Sequence, residues 1–429
     1  MTPRVALALA ALVTGASIAG CGAKTGLDVP DSSMDATIDA PVDAGLDAPP
    51  CIELIPDGGV LELPLETEVQ LNRADVVFLI DTTGSMGQEI AEIRRTLRDQ
   101  IIPGIRTSIP DSNVGVATFA DFPVRPCGEP TMDSPFQLVL PTTSDAARVQ
   151  SAVDAITLGN GGDPPESQVE ALFQVATGAG ISPFVAPSLG CPSGGVGFPC
   201  FRTDSVPVVM LFTDAPFHNG PGGSNPYTNC PIGAVPHTYA QATDALDALG
   251  VRVMGLFSGG RDGLDDLRQV ARDTGAVSGG EPIVFDIGMM GERLSTSVIA
   301  AIESLAGAII FDIDTFMVDV DTTDGVDPRD FVLGIVPVRA TPMSGIREID
   351  VAAGAFRGVR TGTSVVFQVV LDPAAMAPGP GPHRYLIEVV FRGDGRARLD
   401  SRIIEIILPG SGESCDGGVR MLPAALPVR

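Results

Sequence analysis

The chain has 429 residues, of which 44% are hydrophobic and 19% are charged, a balance that suits globular domains rather than a disordered chain. Its formal net charge of −26 argues against nucleic acid as a partner, because so acidic a chain cannot neutralise phosphates. The same charge fits a protein that handles cations, and it fits equally a solvated acidic surface with no special role.

The first 21 residues have the pattern of a bacterial lipoprotein signal. Arg4 precedes an apolar run at 5–13 that is too short to span a bilayer, and residues 18–21 read IAGC, as in a lipobox. We expect Cys21 to be lipidated and to become the first mature residue. An ordinary signal peptide with an incidental cysteine is the alternative. The expected location is the envelope of a Gram-negative bacterium, at the outer membrane or cell surface, with membrane contact through the lipid anchor only.

Six further cysteines, an even number, predict disulfides in an exported chain, and their spacing shows no zinc pattern. Four of them lie in loops rich in Pro and Gly. We expect Cys191 and Cys200 to pair with each other; alternatively, one of them pairs with Cys127 or Cys230. The outer two, Cys51 and Cys415, are expected to form a separate pair.

The stretch before residue 74 divides into a tether and a strand. Residues 22–50 are rich in Asp, Ala and Pro, which predicts a disordered acidic tether. Residues 58–71 (GVLELPLETEVQLN) alternate apolar and polar residues, as a half-buried strand does. We expect segment 51–73 to pair with a C-terminal sandwich, because a lone strand cannot bury its apolar face. An independent strand on the edge of the next domain is the alternative.

From residue 74 to residue 307, short apolar runs alternate with helical patterns. The runs at 76–80 and 206–212 are continuous, as in strands buried on both faces. Further strands are predicted at 114–120, 136–140, 251–257 and 283–287, and helices at 87–102, 144–156, 166–177, 238–249, 264–273 and 294–305. This alternation predicts an α/β fold with a doubly wound, mostly parallel sheet and the 136–140 strand at an edge.

The sequence after residue 307 is rich in β patterns. Strands are predicted at 331–338, 364–371, 385–391 and 398–408, separated by turns such as Gly393-Asp394-Gly395. They predict a second, smaller β-sandwich domain over 308–410. The tail at 411–429 is predicted to be irregular.

One acidic and two hydroxyl residues occupy alternate positions directly after the first buried strand. Asp81, Thr83 and Ser85 offer oxygen ligands from a loop between a strand and a helix. Mg²⁺ prefers such ligands in octahedral geometry and keeps positions open for water or a ligand. Open α/β sheets bind ligands at this edge, where the strands end. The alternative for this pattern alone is a helix N-cap.

Three further acidic loops follow predicted strands or precede a predicted helix. Asp214 follows the 206–212 strand, and Asp121 follows the 114–120 strand. The loop before the 166–177 helix supplies Asp163 and Glu166. Any one of these is explained as a turn residue or a cap, but four acidic loops at one edge would repel one another strongly without a cation. Together they predict a site for Mg²⁺ or Mn²⁺.

These motifs resemble those of von Willebrand A domains, and specifically the I-like domain of integrin β subunits. DTTGSM at 81–86 is similar to the family's DxSxS metal-adhesion motif, and TDAPFH at 213–218, GVATFADFPV at 115–124 and DPPE at 163–166 are similar to integrin segments. The resemblance implies an adhesion metal site formed by Asp81, Thr83, Ser85, Glu166 and Asp214. It also implies a second, structural cation, for which we expect Ca²⁺, held by Asp121, Asp163, Glu166 and the carbonyl oxygen of Pro165.

The chain departs from the family at two places. Where the family has an Asn two residues before the Asp of its DxPE loop, this chain has Gly161, and Asn160 lies one position away. The family's adjacent regulatory calcium site uses two Asp residues soon after DxSxS, and these positions read Gln88 and Glu89 here. Of these two residues only Glu89 carries a carboxylate, so it is the single candidate ligand for a third metal ion at this place.

Two other acidic patterns lie near residue 310. Residues 309–317 (IIFDIDTFM) resemble the nucleophile motif of haloacid dehalogenase-type phosphatases, in which Asp312 would attack phosphate and Asp314 would act as acid and base. The β-rich sequence that follows favours instead a strand leaving the α/β domain. A run of aspartates hints at calcium, but its spacing is not that of an EF-hand, so a solvated acidic turn is favoured. The run comprises Asp319, Asp321, Asp324 and Asp327.

The sequence therefore predicts a non-enzymatic, surface-anchored adhesion or protein-binding module. Its divalent cation would coordinate an exposed Asp or Glu of an unidentified protein partner. A structural envelope lipoprotein without ligand binding is the main alternative, and a phosphatase at Asp312 and Asp314 is a remote one. By analogy with the family, ligand binding couples to movement of the last helix, at 294–305.

Overall fold

The computed structural model describes residues 60–192, 194–259, 263–372, 375, 383–408 and 418–422. The expected signal peptide with Cys21, the tether at 22–50 and the expected Cys51–Cys415 pair lie outside these residues. Within the described part of the chain, no helix combines the length and apolar character needed to cross a membrane.

The chain forms an α/β region, over residues 73–308, and a set of antiparallel strands that come both before and after it. In chain order the elements are β1 (Leu61–Glu68), β2 (Arg73–Asp81), α1 (Gly87–Thr96), α2 (Ile102–Ser108), β3 (Asp111–Phe119), β4 (Gln137–Thr143), α3 (Ala146–Asp154), α4 (Gln168–Thr177), β5 (Val206–Thr213), α5 (Tyr239–Leu249), β6 (Arg252–Phe257), α6 (Leu264–Asp273), β7 (Val277–Ser278), β8 (Glu281–Pro282), β9 (Val284–Asp286), α7 (Leu294–Ala308), β10 (Ile310–Asp319), β11 (Val332–Thr341), β12 (Glu348–Asp350), β13 (Ala355–Arg360), β14 (Ser364–Leu371), β15 (His383–Gly393), β16 (Ala397–Leu408) and β17 (Gly418–Leu422). A π-helical stretch, Leu97–Ile101, joins α1 to α2, so the helix predicted at 87–102 continues to Ser108.

The α/β region is built on one six-stranded sheet. Its strand order is β4-β3-β2-β5-β6-β9, and all neighbours are parallel except β4, which runs antiparallel to β3 at the edge. One hydrophobic cluster packs α1, α2, α3 and α7 on one face, and a second packs α4, α5 and α6 on the other. Because both faces are covered, β2 is buried from its second residue to its last, which explains its continuous apolar run. The predicted α/β fold with a mostly parallel sheet is confirmed.

The centre of this sheet is a topological switch point. The chain passes from β2 to β3 on one side and later returns to β5 on the other side of β2. In open α/β sheets the crevice beyond the carboxyl ends of such strands is where ligands bind. Asp81 closes β2 and Thr213 closes β5, so polar residues stand at that crevice.

Apart from the β7–β8 hairpin, the remaining strands form two antiparallel sheets that pack face to face. Their orders are β1-β14-β11 and β12-β13-β10-β15-β16-β17. The ring of Phe367 on β14 lies 5.0 Å from that of Phe356 on β13 and 5.8 Å from that of Phe391 on β15. On β1, Leu63 and Leu65 are buried while Glu62, Pro64 and Glu66 are exposed, as expected for a strand with one face on a core. These sheets form the second, smaller domain of the predicted fold class.

Strand β1 pairs along its whole length with β14, from Leu61 opposite Leu371 to Glu68 opposite Ser364. The α/β region, β2 to α7, thus lies in the chain between two strands of the antiparallel sheets, β1 and β10. The antiparallel sheets contact the amino ends of the parallel strands: the backbone N–H of Arg398 donates to the carbonyl of Asp204 at 2.8 Å. This contact is at the edge of the sheet opposite to Asp81.

Some elements differ from the predictions. The tail predicted to be irregular contributes β17, which pairs with β16, and the short strands β12 and β13 and the β7–β8 hairpin were not predicted. These strands have two to six residues, too few for a period of two to stand out, and their partners supply the hydrogen bonds that define them.

Candidate metal centre

Strand β2 ends in a buried aspartate whose two oxygens are both engaged. Oδ1 of Asp81 accepts from the backbone N–H of Thr83 at 2.9 Å and from the Thr83 hydroxyl at 2.7 Å. Oδ2 accepts from the hydroxyl of Thr213 at 2.7 Å. The Thr83 hydroxyl lies 3.3 Å from that of Ser85. The structure thus brings Asp81, Thr83 and Ser85 together in one cluster of oxygens.

Asp214 joins this cluster because β5 is the neighbour of β2. Burial raises the pKa of the Asp214 carboxyl, and a hydrogen bond from Ser85 opposes that rise without cancelling it. Two sequence-distant loops, one after β2 and one after β5, therefore present their carboxylates to the same point.

Glu166 enters the cluster from the loop before α4. Its backbone N–H donates to the carbonyl of Pro216 at 3.0 Å, and its carbonyl accepts from the backbone N–H of His218 at 2.8 Å. The side chain is 4% exposed, and its Oε2 has no hydrogen-bond partner among the residues that the structure describes. Gly161 makes this approach possible: it has φ +70°, and a Cβ there would lie 2.9 Å from Oε1 of Glu166 and 3.4 Å from Cγ2 of Thr83.

Among the residues that the structure describes, no Lys, Arg or His side chain forms an ion pair with Asp81, Glu166 or Asp214. Burial is the main cause that raises the pKa of Asp81 to about 7, and repulsion by Asp214 adds to it. Burial also dominates at Glu166, whose pKa is raised to about 12. Four carboxylates add to that rise by repulsion: Asp81, Asp121, Asp133 and Asp163. A divalent cation fits such a set of oxygens, because it would supply the missing positive charge and a partner for Oε2 of Glu166.

The cluster forms the floor of an open pocket of about 530 Å³. Thr83, Ser85, Glu166 and Asp214 all line it, together with the loop at 160–164. The pocket lies at the carboxyl ends of β2 and β5 and is open to solvent. This arrangement suits a site that binds an external group.

Several supporting residues were not identified from the sequence. Asp133 holds the loop before Glu166, accepting from the backbone N–H groups of Asn160 at 2.7 Å and Gly161 at 3.0 Å. Gln168 donates to the hydroxyl of Thr213 at 3.0 Å. Thr213 could have been suspected, since it precedes Asp214 directly, but Asp133 lies in a loop with no pattern that points to a site.

The residues assigned to a second cation by the family resemblance lie beside this pocket. Asp121 and Asp163 both lie within 3.5 Å of the same ring nitrogen of His218, and Pro165 lies in the same loop as Glu166. Between the two carboxylates lies the ring of His218, which the sequence did not single out. Its Nε2 is 3.3 Å from Oδ2 of Asp121 and 3.5 Å from Oδ1 of Asp163.

Glu89, the residue considered for a third metal, is buried in the first turn of α1. One of its oxygens accepts from the hydroxyl of Ser258, and the other has no hydrogen-bond partner within the described part of the chain. Burial raises the pKa of Glu89, and repulsion by Asp214 and Glu292 contributes. Gln88 is exposed to solvent. Of the two residues at the third-metal positions, only Glu89 is therefore buried next to the site.

The two aspartates of the phosphatase-like pattern lie in the antiparallel sheet, on β10. Asp312 accepts from the backbone N–H of Gly358 at 2.8 Å and pairs with Arg357 at 3.1 Å, and Asp314 pairs with Arg392 at 2.8 Å. Both carboxylates are thus tied to neighbouring strands, and neither stands at the carboxyl end of a parallel strand.

The aspartates at 319–327 form successive turns. Each accepts from the backbone N–H two residues later, at 3.0 Å in all four cases. This is the local bonding expected of a solvated acidic turn. The residues are Asp319, Asp321, Asp324 and Asp327.

Four cysteines of the α/β region form two disulfides. Cys191 pairs with Cys200, as expected, and Cys127 pairs with Cys230 rather than with either of those two. The ligand atoms of Cys127, Cys230, Asp163 and His218 lie within 4.8 Å of one another. Because a zinc site would need both sulfurs as thiolates, the Cys127–Cys230 disulfide and such a site exclude each other.

Comparison with known proteins identifies part of the chain. Residues 75–182 match the family model of the von Willebrand factor A domain. No protein of curated function matches the sequence. A solved von Willebrand factor type A structure from Catenulispora acidiphila is 13% identical, with a TM-score of 0.34, and the match covers 83% of this chain and 71% of that chain.

Two further solved structures are similar at the same level. Proximal thread matrix protein 1 from the mussel byssus is 16% identical, with a TM-score of 0.35, over 59% of this chain and 51% of its own. The pilus adhesin SpaC from Lactobacillus rhamnosus GG, in an open conformation, is 12% identical, with a TM-score of 0.34, over 85% of this chain and 45% of its own. The matched family model and the sheet with its flanking helices agree, and residues 75–182 therefore have the fold of a von Willebrand factor A domain.

Proposed function

We propose that this protein is a metal-dependent adhesion or protein-binding module, and not an enzyme. A Mg²⁺ or Mn²⁺ ion would be held by Asp81, Thr83 and Ser85, with Glu166 and Asp214 as ligands directly or through water. The partner would be a protein with an exposed Asp or Glu, whose carboxylate takes the position left open toward the pocket. We further infer that the A domain is of the integrin β I-like type, since Asp163 and Glu166 stand in the loop that distinguishes that type.

The observation that carries this proposal is the unpartnered carboxylate oxygen of Glu166 at the floor of the pocket. A buried carboxylate without a partner is unfavourable by several kcal/mol, and proteins retain such groups when a ligand or ion completes them. Here the residue that carries the orphan oxygen lines the same open pocket as Thr83, and the charge of Asp81 acts on it by repulsion.

When bound, the ion attracts a carboxylate electrostatically and fixes its orientation. The chain's own residues prepare the place. Thr213 and the Thr83 N–H orient Asp81, and Asp133 fixes the backbone of the loop that carries Glu166. Pro216 and His218 hold the Glu166 backbone on both sides. A rigid set of oxygens of this kind binds without the entropy loss of ordering a loop.

We also propose that the module is tethered to the cell envelope through a lipid on Cys21 and the acidic segment at 22–50. The support is the lipobox pattern and the composition of that segment. Such an arrangement would hold the pocket at a distance from the membrane, where a partner can reach it.

Thermal unfolding of the protein in Mn²⁺ and in EDTA tests the metal site. We expect Mn²⁺ to raise the melting temperature of the wild type, because an ion that binds only the folded state stabilises it. Asp81→Asn should abolish this rise. Asp312→Asn is the matched control, because Asp312 is a carboxylate on β10 outside the pocket, and its variant should keep the rise. An equal rise in wild type and Asp81→Asn would contradict the assignment.

Water-proton relaxation of the Mn²⁺-loaded protein tests the open position. Acetate, the simplest carboxylate, should displace ion-bound water and lower the relaxation rate of the wild type. Metal binding without any response to acetate would favour the alternative, a structural envelope lipoprotein without ligand binding.

A further inference from the structure

Three side chains from three different loops converge beside the proposed Mg²⁺ site. Asp121 follows β3, Asp163 precedes α4 and His218 follows β5. Nε2 of His218 lies 3.3 Å from Oδ2 of Asp121 and 3.5 Å from Oδ1 of Asp163. One ring nitrogen and two carboxylate oxygens thus face one another across a short gap.

One of these oxygens lacks a partner although it is enclosed by protein. The Asp121 side chain is 0% exposed, and no described residue forms a hydrogen bond with its Oδ2. Its Oδ1 is engaged, since it accepts from the backbone N–H of Phe122 at 2.6 Å and from the Tyr227 hydroxyl at 2.9 Å. A buried carboxylate oxygen without a partner is unfavourable, and it points to an ion or ligand that completes it.

The ring of His218 is oriented for the same role. Its Nδ1 lies 2.7 Å from the carbonyl oxygen of Asn225, and its face stacks on Tyr227 with centroids 3.9 Å apart. Histidines that bind metals use one ring nitrogen for the ion and the other for a hydrogen bond to a carbonyl or carboxylate. Nε2 is therefore the ring nitrogen that is available to an ion.

The separations between these atoms fit a shared ion better than hydrogen bonds. An N–H···O hydrogen bond is about 2.7–3.2 Å long, and both separations exceed that range. Zn²⁺ binds nitrogen and oxygen ligands at about 2.0–2.2 Å, so two ligands of a tetrahedral zinc ion lie about 3.3–3.6 Å apart. The observed separations of 3.3 Å and 3.5 Å fall within this interval.

The nitrogen also decides the class of ion. Ca²⁺, which the family resemblance implies at this place, takes oxygen ligands, whereas imidazole suits Zn²⁺ and related transition metals. The set also differs from the one that includes the sulfurs of Cys127 and Cys230, because Oδ2 of Asp121 takes their place and the disulfide stays intact.

We propose that Asp121, Asp163 and His218 bind a Zn²⁺ ion, with water as the fourth ligand, where the resemblance implies Ca²⁺. The ion ties together the three loops that surround the Asp81 site. Asp163 gives it a way in, since its side chain is 33% exposed and lines the open pocket. The proposal goes beyond the adhesion function and does not depend on the Mg²⁺ site.

Equilibrium dialysis of the full chain against Zn²⁺ tests the proposal. The buffer contains no reductant, so that the disulfide persists, and an excess of Mg²⁺ and Ca²⁺, which fill sites made of oxygens alone. We expect one Zn²⁺ per chain for the wild type and Asp81→Asn, and none for Asp121→Asn or His218→Gln. His237→Gln is the matched control and should keep the ion, because His237 faces a buried carboxylate elsewhere, that of Glu170 at 2.9 Å.

The outcomes separate this site from the proposed Mg²⁺ site. Zn²⁺ that is absent from the wild type, or retained by His218→Gln, would overturn the proposal. Zn²⁺ that is lost from Asp81→Asn would place the ion at Asp81 and overturn it as well. Zn²⁺ binding as expected, on a chain that binds no Mg²⁺, would overturn the proposed function and support this inference. Mn²⁺ is the weakest binder of its series at nitrogen-containing sites, so the thermal shift in Mn²⁺ reports the Asp81 site.

The visible spectrum of the Co²⁺-loaded wild type, recorded in excess Mg²⁺, is a second test that needs no variant. Co²⁺ accepts the ligands of Zn²⁺, and it absorbs far more strongly when four-coordinate than when six-coordinate. We expect the strong four-coordinate bands, lost when Zn²⁺ is added and unchanged by Ca²⁺. A weak six-coordinate spectrum, or displacement of Co²⁺ by Ca²⁺, would overturn the proposal.

Discussion

Glu166 is a proposed metal ligand, and without the metal it is a buried carboxyl group that lowers stability. Replacing it by Gln separates these two effects, and we expect the substitution to stabilise the metal-free protein. The ordinary pKa of a Glu carboxyl is 4.5, and in this structure burial, then repulsion by neighbouring carboxylates, raises that of Glu166 to about 12. The folded protein therefore keeps a proton that the unfolded chain releases above pH 4.5. Because the unfolded state then binds fewer protons than the folded state, stability falls as the pH rises from this value.

The size of this loss of stability follows from the pH interval between 4.5, the ordinary pKa of Glu, and the pH of the measurement. Each unit contributes about 1.4 kcal/mol, so the wild-type carboxyl lowers the free energy of unfolding by about 3 kcal/mol at pH 7. Gln has the same shape and no charge. In EDTA at pH 7, the free energy of unfolding of Glu166→Gln should therefore exceed that of the wild type by at most about 3 kcal/mol. At pH 5 the difference should shrink to below about 1 kcal/mol. Saturating Mg²⁺ should stabilise the wild type by about 2.7 kcal/mol at a hundred times the dissociation constant, and the variant by less.

Urea unfolding in EDTA and in Mg²⁺, at pH 5 and pH 7, measures these differences. Glu170→Gln is the matched control, because Glu170 is equally buried but accepts from His237 at 2.9 Å and from Gln174 at 2.8 Å. Its loss should destabilise the protein, with no dependence on Mg²⁺. If Glu166→Gln in EDTA is no more stable than the wild type at pH 7, or if the difference is the same at pH 5, the electrostatic reasoning fails.

Shortening Leu65 to Ala should lower the free energy of unfolding by about 2–5 kcal/mol, because this β1 side chain is fully buried between the two antiparallel sheets. An unchanged urea midpoint would show that β1 does not pair with β14 in solution. Peptide mapping without reductant should recover Cys127 linked to Cys230 and Cys191 linked to Cys200. Free thiols at all four positions would contradict both pairs.

Local patterns in the sequence were sufficient to predict the α/β domain. The continuous apolar run of β2 reports burial on both faces, and the alternation of such runs with helical patterns restricts the topology to a parallel, doubly wound sheet. The carboxyl ends of parallel strands lie at one edge of the sheet. The sequence alone therefore predicted that four residues would lie close together: Asp81, Thr83, Ser85 and Asp214. These inferences depend on neighbours in the chain, which is the information that a sequence carries directly.

Only the tertiary structure decided what depends on distant contacts. β1 alternates as a strand should, but its partner β14 lies some 300 residues away and no local signal names it. Asp133 enters the site from a loop with no motif. His218 closes the TDAPFH segment, but its contacts with Asp121 and Asp163 exist only because the fold brings those two carboxylates to its ring. The raised pKa values of Asp81 and Glu166 have the same origin, since burial and repulsion exist only once the strands and loops are packed. The sequence therefore determined which oxygens meet, and the packing determined their charge and what surrounds them.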